Sequence, residues 1–115
     1  MDLILGVEQL DEFIINNKNK LLMLYFSING CLPCKILKNR ILKEGDEQLK
    51  DLLVCYIDVG IPENSEIVEM YKDEVKILPT QIFVKLKDDN VTIIDKIVGY
   101  DWIKLIMTYN KLVKN

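Results

Sequence analysis

The stretch Leu24-Tyr25-Phe26-Ser27-Ile28-Asn29-Gly30-Cys31-Leu32-Pro33-Cys34-Lys35 decides how the chain is read. It begins inside an apolar run, residues 21–26, and crosses a short polar turn to Cys31-Leu32-Pro33-Cys34. A helical pattern follows, opened by a proline. Proline suits a first helical turn, where the N–H it lacks would have no partner. Two cysteines two residues apart at a helix start can close a small disulfide and reopen it. The helix N-terminus carries partial positive charge, which stabilises a thiolate at Cys31. In a βαβ context such a CxxC is a redox signal; elsewhere it is half of a metal site.

The flanks bound the choice. The 115 residues suffice for one domain, residues 1–115, and not for two. Half of them are apolar, enough to bury a core. The 15 Lys and Arg are interleaved with 18 Asp and Glu for a net charge of −3, which excludes a basic nucleic-acid face. Met1-Asp2-Leu3-Ile4-Leu5-Gly6 has neither a basic region nor a long apolar stretch, so no signal peptide is expected. The longest apolar run is too short to span a bilayer. The expectation is a cytoplasmic protein without membrane attachment. Three cysteines in such a chain do not make a disulfide scaffold. Zinc needs four ligands. The chain has no His, and beyond the pair only Cys55, so a site within one chain would need a carboxylate or water. Two chains could share four thiolates. Glu44, Asp46 and Glu47 lack metal-loop spacing and read as a solvated face.

Residues 2–5 predict a short first strand. Val7, Leu10, Phe13 and Ile14 recur at helical spacing. Residues 20–28 predict a buried parallel strand, apolar nearly throughout. The helix from Pro33 carries Leu37, Ile41 and Leu42 on one stripe. Gly45 is expected to break or bend it, with Leu49, Leu52 and Leu53 resuming the stripe. Residues 54–57 predict a second buried strand ending at Asp58, and residues 60–64 a loop. Ile67, Met70 and Tyr71 mark a short helix, and residues 75–80 an irregular segment. Residues 81–86 and 91–98 predict an antiparallel hairpin around Lys87-Asp88-Asp89-Asn90. The last helix has Trp102, Leu105, Ile106, Tyr109, Leu112 and Val113 in register. The order (β)αβαβαββα predicts an α/β fold: a central mixed sheet, its early strands parallel, with helices on both faces.

This order and these residues resemble the thioredoxin family over nearly the whole chain. The resemblance rests on Phe26, Cys31-Leu32-Pro33-Cys34-Lys35, Asp58 at a strand end, Leu78-Pro79-Thr80 before the hairpin and Gly99 after it. It implies the thioredoxin fold, a cis proline at Pro79 packed beside the cysteines, and pairing of substrate peptide with the backbone before that proline. The chain departs from the family at several positions. Gly30 and Ser27 stand where the family usually has tryptophans, and Leu32 where it has glycine. Tyr25 aligns with its buried aspartate, Val54 with that aspartate's lysine partner, and Asn39 with a helix-kinking proline.

Exchange needs one exposed thiolate to attack and a second thiol to resolve the mixed disulfide. Cys31, at the mouth of the turn, is the expected attacker and Cys34, inside the helix, the resolver. Gly30, Leu32, Pro33, Ile77, Leu78, Pro79 and Gly99 form the expected substrate-facing set. Leu32, Ile77 and Leu78 would make an apolar rim, unless Ile77 turns inward. Lys35 adds nearby positive charge or is simply a solvated helix residue. Cys55, Tyr25 and Trp102 read as core. The implied function is thiol–disulfide exchange with protein substrates in an electron-transport role. No bound cofactor is expected beyond the Cys31–Cys34 disulfide. Electrons would come from a separate reductase or a thiol pool, and the protein would act as a monomer. The alternatives are an adaptor with a structural CxxC and a metal-bridged dimer.

Overall fold

Residues 22–27 form a strand with every side chain buried, because the sheet is covered on both faces there. The computed structural model describes residues 1–114. The elements in chain order are β1 (Asp2–Leu3), α1 (Val7–Asn16), β2 (Leu22–Ser27), α2 (Leu32–Gln48), β3 (Leu53–Asp58), a 3-10 turn (Pro62–Asn64) and α3 (Ser65–Met70). They end with β4 (Thr80–Lys87), β5 (Asn90–Val98) and α4 (Trp102–Val113). The sheet order is β1-β3-β2-β4-β5. β1, β3 and β2 are parallel, and β4 and β5 add antiparallel strands.

Alternation along the strands sends successive side chains to opposite faces. Leu22, Leu24, Phe26, Cys55, Ile57, Ile82 and Val84 pack with Leu10 and Ile14 of α1 and with Ile67 of α3. Met23, Tyr25, Val54, Phe83 and Ile97 pack with Leu37 and Ile41 of α2 and with Trp102, Leu105 and Tyr109 of α4. Trp102 is thus core; Arg40 lies over its ring and Gln48 accepts from its indole N–H at 3.3 Å. Asn64 is a buried polar knot. Its side chain donates to the carbonyls of Ile4 and Asp58 and accepts the Gly6 N–H, joining β1, β3 and the entry to α1.

Several expectations are corrected. α2 runs unbroken through Gly45, which lies in its last turn with only Ile41 near its missing side chain. Leu49 is instead the C-cap, Leu52 lies in the turn and Leu53 opens β3. Leu42, Met70 and Val113 face outward rather than into the core. The first strand is shorter than expected, and residues 62–64 form a 3-10 turn. β5 is an edge strand with a bulge: Phe83 pairs with Asp95 and Val84 with Ile93, leaving Ile94 unpaired.

Candidate active site

β2 ends at Ser27, and the turn 28–30 delivers the chain to Cys31, the N-cap of α2. Gly30 takes φ 89°, a left-handed conformation that glycine adopts without steric cost. Cys31 and Cys34 are joined by a disulfide, with their Cα atoms 5.3 Å apart. Cys31 is partly exposed, whereas Cys34 is 1% exposed. The Cys34 N–H points at the Cys31 sulfur at 3.3 Å, as a capping group would. That donor remains to stabilise negative charge on Cys31 when the disulfide opens.

Leu78-Pro79 forms the opposite wall, with its peptide bond cis. The Leu78 carbonyl oxygen lies 3.9 Å from the Cys31 sulfur. The Gly99 N–H, at φ 83°, donates to the Pro79 carbonyl at 2.7 Å. Gln81, buried in β4, donates its amide N–H to the Gly99 carbonyl at 3.1 Å. The segment ending β5 is thereby fastened to the proline loop. The fold thus brings Cys31, Cys34, Leu78, Pro79 and Gly99 together. Pro33 is exposed in the first turn of α2. Leu32 and Ile77 are 66% and 58% exposed, so Ile77 does not turn inward.

Behind the sulfurs, the Tyr25 hydroxyl donates to the Cys34 carbonyl. Burial, and secondarily the neighbouring Tyr56, push the Tyr25 hydroxyl well above the ordinary tyrosine range. It is a fixed donor at physiological pH rather than a proton acceptor. In the sheet Tyr25 pairs with Tyr56, and Val54 pairs with Met23. The two tyrosine rings meet edge to face at 5.3 Å. The Tyr56 hydroxyl donates to Ser27 Oγ at 3.2 Å, and the Lys38 ammonium sits 4.6 Å from the Tyr56 ring centroid.

A groove of about 500 Å³ opens on this side of Cys31, lined in part by Ser27, Gly30, Leu32, Lys35, Lys38, Asn39 and Tyr56. A hollow of about 430 Å³ at the other end of β2, among Lys20, Lys50, Lys85 and Tyr109, is remote from the sulfurs. Among the described residues no cluster of three metal-ligating side chains forms, and no helix is long and apolar enough to cross a membrane. Sequence reasoning missed Gln81, Tyr56 and Lys38. A lone amide inside Thr80-Gln81-Ile82-Phe83-Val84 signals a buried group needing a partner. Lys38 looks like any surface lysine until α2 and β3 are assembled.

No family model and no curated protein matches the sequence. Solved structures do. Trichomonas vaginalis thioredoxin superposes with a TM-score of 0.81 at 26% identity, over 97% of this chain and 96% of that one. Fasciola hepatica thioredoxin gives 0.80 at 23% identity, over 96% of this chain and 98% of that one. The chain has the thioredoxin fold. The Drosophila melanogaster germline thioredoxin Deadhead repeats the match at 0.80 and 24% identity, over 97% of this chain and 99% of that one. Within the thioredoxin fold the Cys31–Cys34 pair stands at the junction of a central strand and a helix, facing a cis proline.

Proposed function

We propose that the protein is a thiol–disulfide oxidoreductase acting on protein disulfides through Cys31 and Cys34. One observation carries this reading: an accessible sulfur capping a helix is disulfide-bonded to a buried sulfur three residues on. In the dithiol form the Cys31 thiolate attacks one sulfur of a substrate disulfide and expels the other. Cys34 then gives up its proton and attacks Cys31 Sγ, closing the disulfide and releasing the second substrate thiol. Two electrons pass to the substrate. The backbone at Ile77 and Leu78 supports binding of an extended substrate segment. Leu32, Pro33, Ile77, Pro79, Gly30 and Gly99 form its surroundings. No further cofactor is required, and a reductase or thiol pool restores the dithiol.

The test is reduction of a generic protein disulfide such as insulin, with dithiothreitol as electron source. Wild-type protein accelerates the reaction, and Cys31→Ser does not. A wild-type rate equal to the uncatalysed rate sinks the reading and leaves a structural disulfide in a binding protein.

A further inference from the structure

We infer that the groove beside Cys31 binds the negatively charged part of a low-molecular-weight thiol, so that such a thiol is the electron donor for the Cys31–Cys34 disulfide. The inference rests on the exchange reading above. Four observations carry it. The groove, about 500 Å³, is of a size that takes a small ligand and contains Cys31 in its wall. Two cations, Lys35 and Lys38, project from consecutive turns of α2 into its lining, and among the described residues neither forms an ion pair. Polar side chains also line it: Ser27 and Tyr56 from the sheet, and Asn39 from α2. No carboxylate is among the groove's lining residues: Asp58, which pairs with Ser27 in the sheet, accepts the Gly60 N–H through Oδ1 at 2.8 Å.

Gly30 lines the groove without a side chain, and a Cβ there would meet nothing within 4 Å. A carboxylate held by Lys35 and Lys38 leaves its thiol near Cys31. The thiolate attacks Cys31 Sγ, the Cys31–Cys34 bond breaks, and Cys34 leaves as a thiolate that takes up a proton. A second thiolate then attacks the small-thiol sulfur of the mixed disulfide and expels the Cys31 thiolate. Two small thiols become one small disulfide, and the protein gains two electrons as a dithiol.

The experiment follows exchange, in both directions, with small disulfides and thiols of different charge: glutathione and dithiodiglycolate (anionic), hydroxyethyl disulfide (neutral) and cystamine (cationic). The readout is the ratio of kcat/KM for each anion to that for the neutral compound. This ratio cancels any change in the reactivity of Cys31 itself. Exposed charge pairs of this kind are worth up to about fivefold each. Lys38→Gln lowers the ratio about threefold to fivefold, and Lys35→Gln,Lys38→Gln about tenfold or more. Lys87→Gln, with the same charge change at the end of β4, leaves it in place. Raising the salt concentration erases the wild-type preference. Equal ratios in wild type and the double variant overturn the inference. So does a Lys38 dependence seen with an acidic peptide disulfide but not with glutathione. Absence of exchange with every compound, the neutral one included, instead overturns the oxidoreductase reading.

Discussion

The Tyr25 hydroxyl of β2 donates to the Cys34 carbonyl oxygen, tying the floor of the sheet to the first turn of α2. Tyr25 is fully buried, so its loss leaves no route for water to replace the bond. Tyr25→Phe removes one neutral hydrogen bond worth about 1 kcal/mol. The oxidised protein should melt ~4 °C lower, as calorimetry can measure. An unchanged melting temperature would show that the bond contributes nothing net.

Alkaline pH should destabilise the protein through groups kept neutral by burial. The Cys55 thiol is pushed from 9.0 to about 12, by burial first and then by Asp2. Its unfolded counterpart therefore loses a proton at lower pH than the native one. Stability from this group is fully present below pH 9.0 and falls as pH rises toward about 12. The slope is about 1.4 kcal/mol per pH unit per proton. Tyr25, raised in the same sense, adds to the loss above pH 10.0. Urea midpoints from pH 7 to 11 test this, and Cys55→Ala should flatten the decline. A wild-type profile that stays flat to pH 11 contradicts the argument.

The two cysteines should behave unequally. Attack requires access, which Cys31 has and Cys34, 1% exposed, lacks. Cys34→Ser should accumulate mixed disulfides with substrate proteins that vanish on adding reductant. Cys31→Ser should trap little. Non-reducing electrophoresis of both variants after incubation with one extract gives the comparison, and equal trapping refutes the assigned roles.

Two glycines should respond with opposite signs. Gly45 is helical, and an added Cβ would meet Ile41 Cγ2 at 3.5 Å, an ordinary contact. Gly45→Ala should stabilise by about 0.5–1 kcal/mol. Gly99 has φ 83° with open space around it, so an added Cβ costs backbone strain alone. Gly99→Ala should destabilise by about 1–2 kcal/mol. Denaturant midpoints should move in opposite directions with the slope unchanged. A shared direction would show that backbone conformation does not govern Gly99.

The elements most legible in the sequence were those whose pattern is local. The run before Cys31, the alternation in β4 and the stripe of α4 each carry their own periodicity. Gly45 misled because low helix propensity, about 1 kcal/mol, is overridden when packing on either side holds the helix. The neighbour of Tyr25 across the sheet was not legible because register between strands is set by tertiary packing, and Val54 and Tyr56 both suit a strand. The cysteine pair was readable from its spacing at a strand–helix junction. Its groove was not, since Lys35, Lys38, Ser27 and Tyr56 come from three elements whose convergence no single segment encodes.

The bulge at Ile94 bears on how copies of this chain behave when crowded. β5 ends the sheet, and its outer side offers backbone groups beside the exposed side chains of Val91, Ile93 and Ile94. A straight edge of that composition would template stacking of one molecule on the next. The extra residue throws the ladder out of step midway, so an incoming strand can stay in phase on one side of Ile94 only. Closing that irregularity by deleting Ile94 would restore a continuous edge and, with it, a route to fibrillar growth.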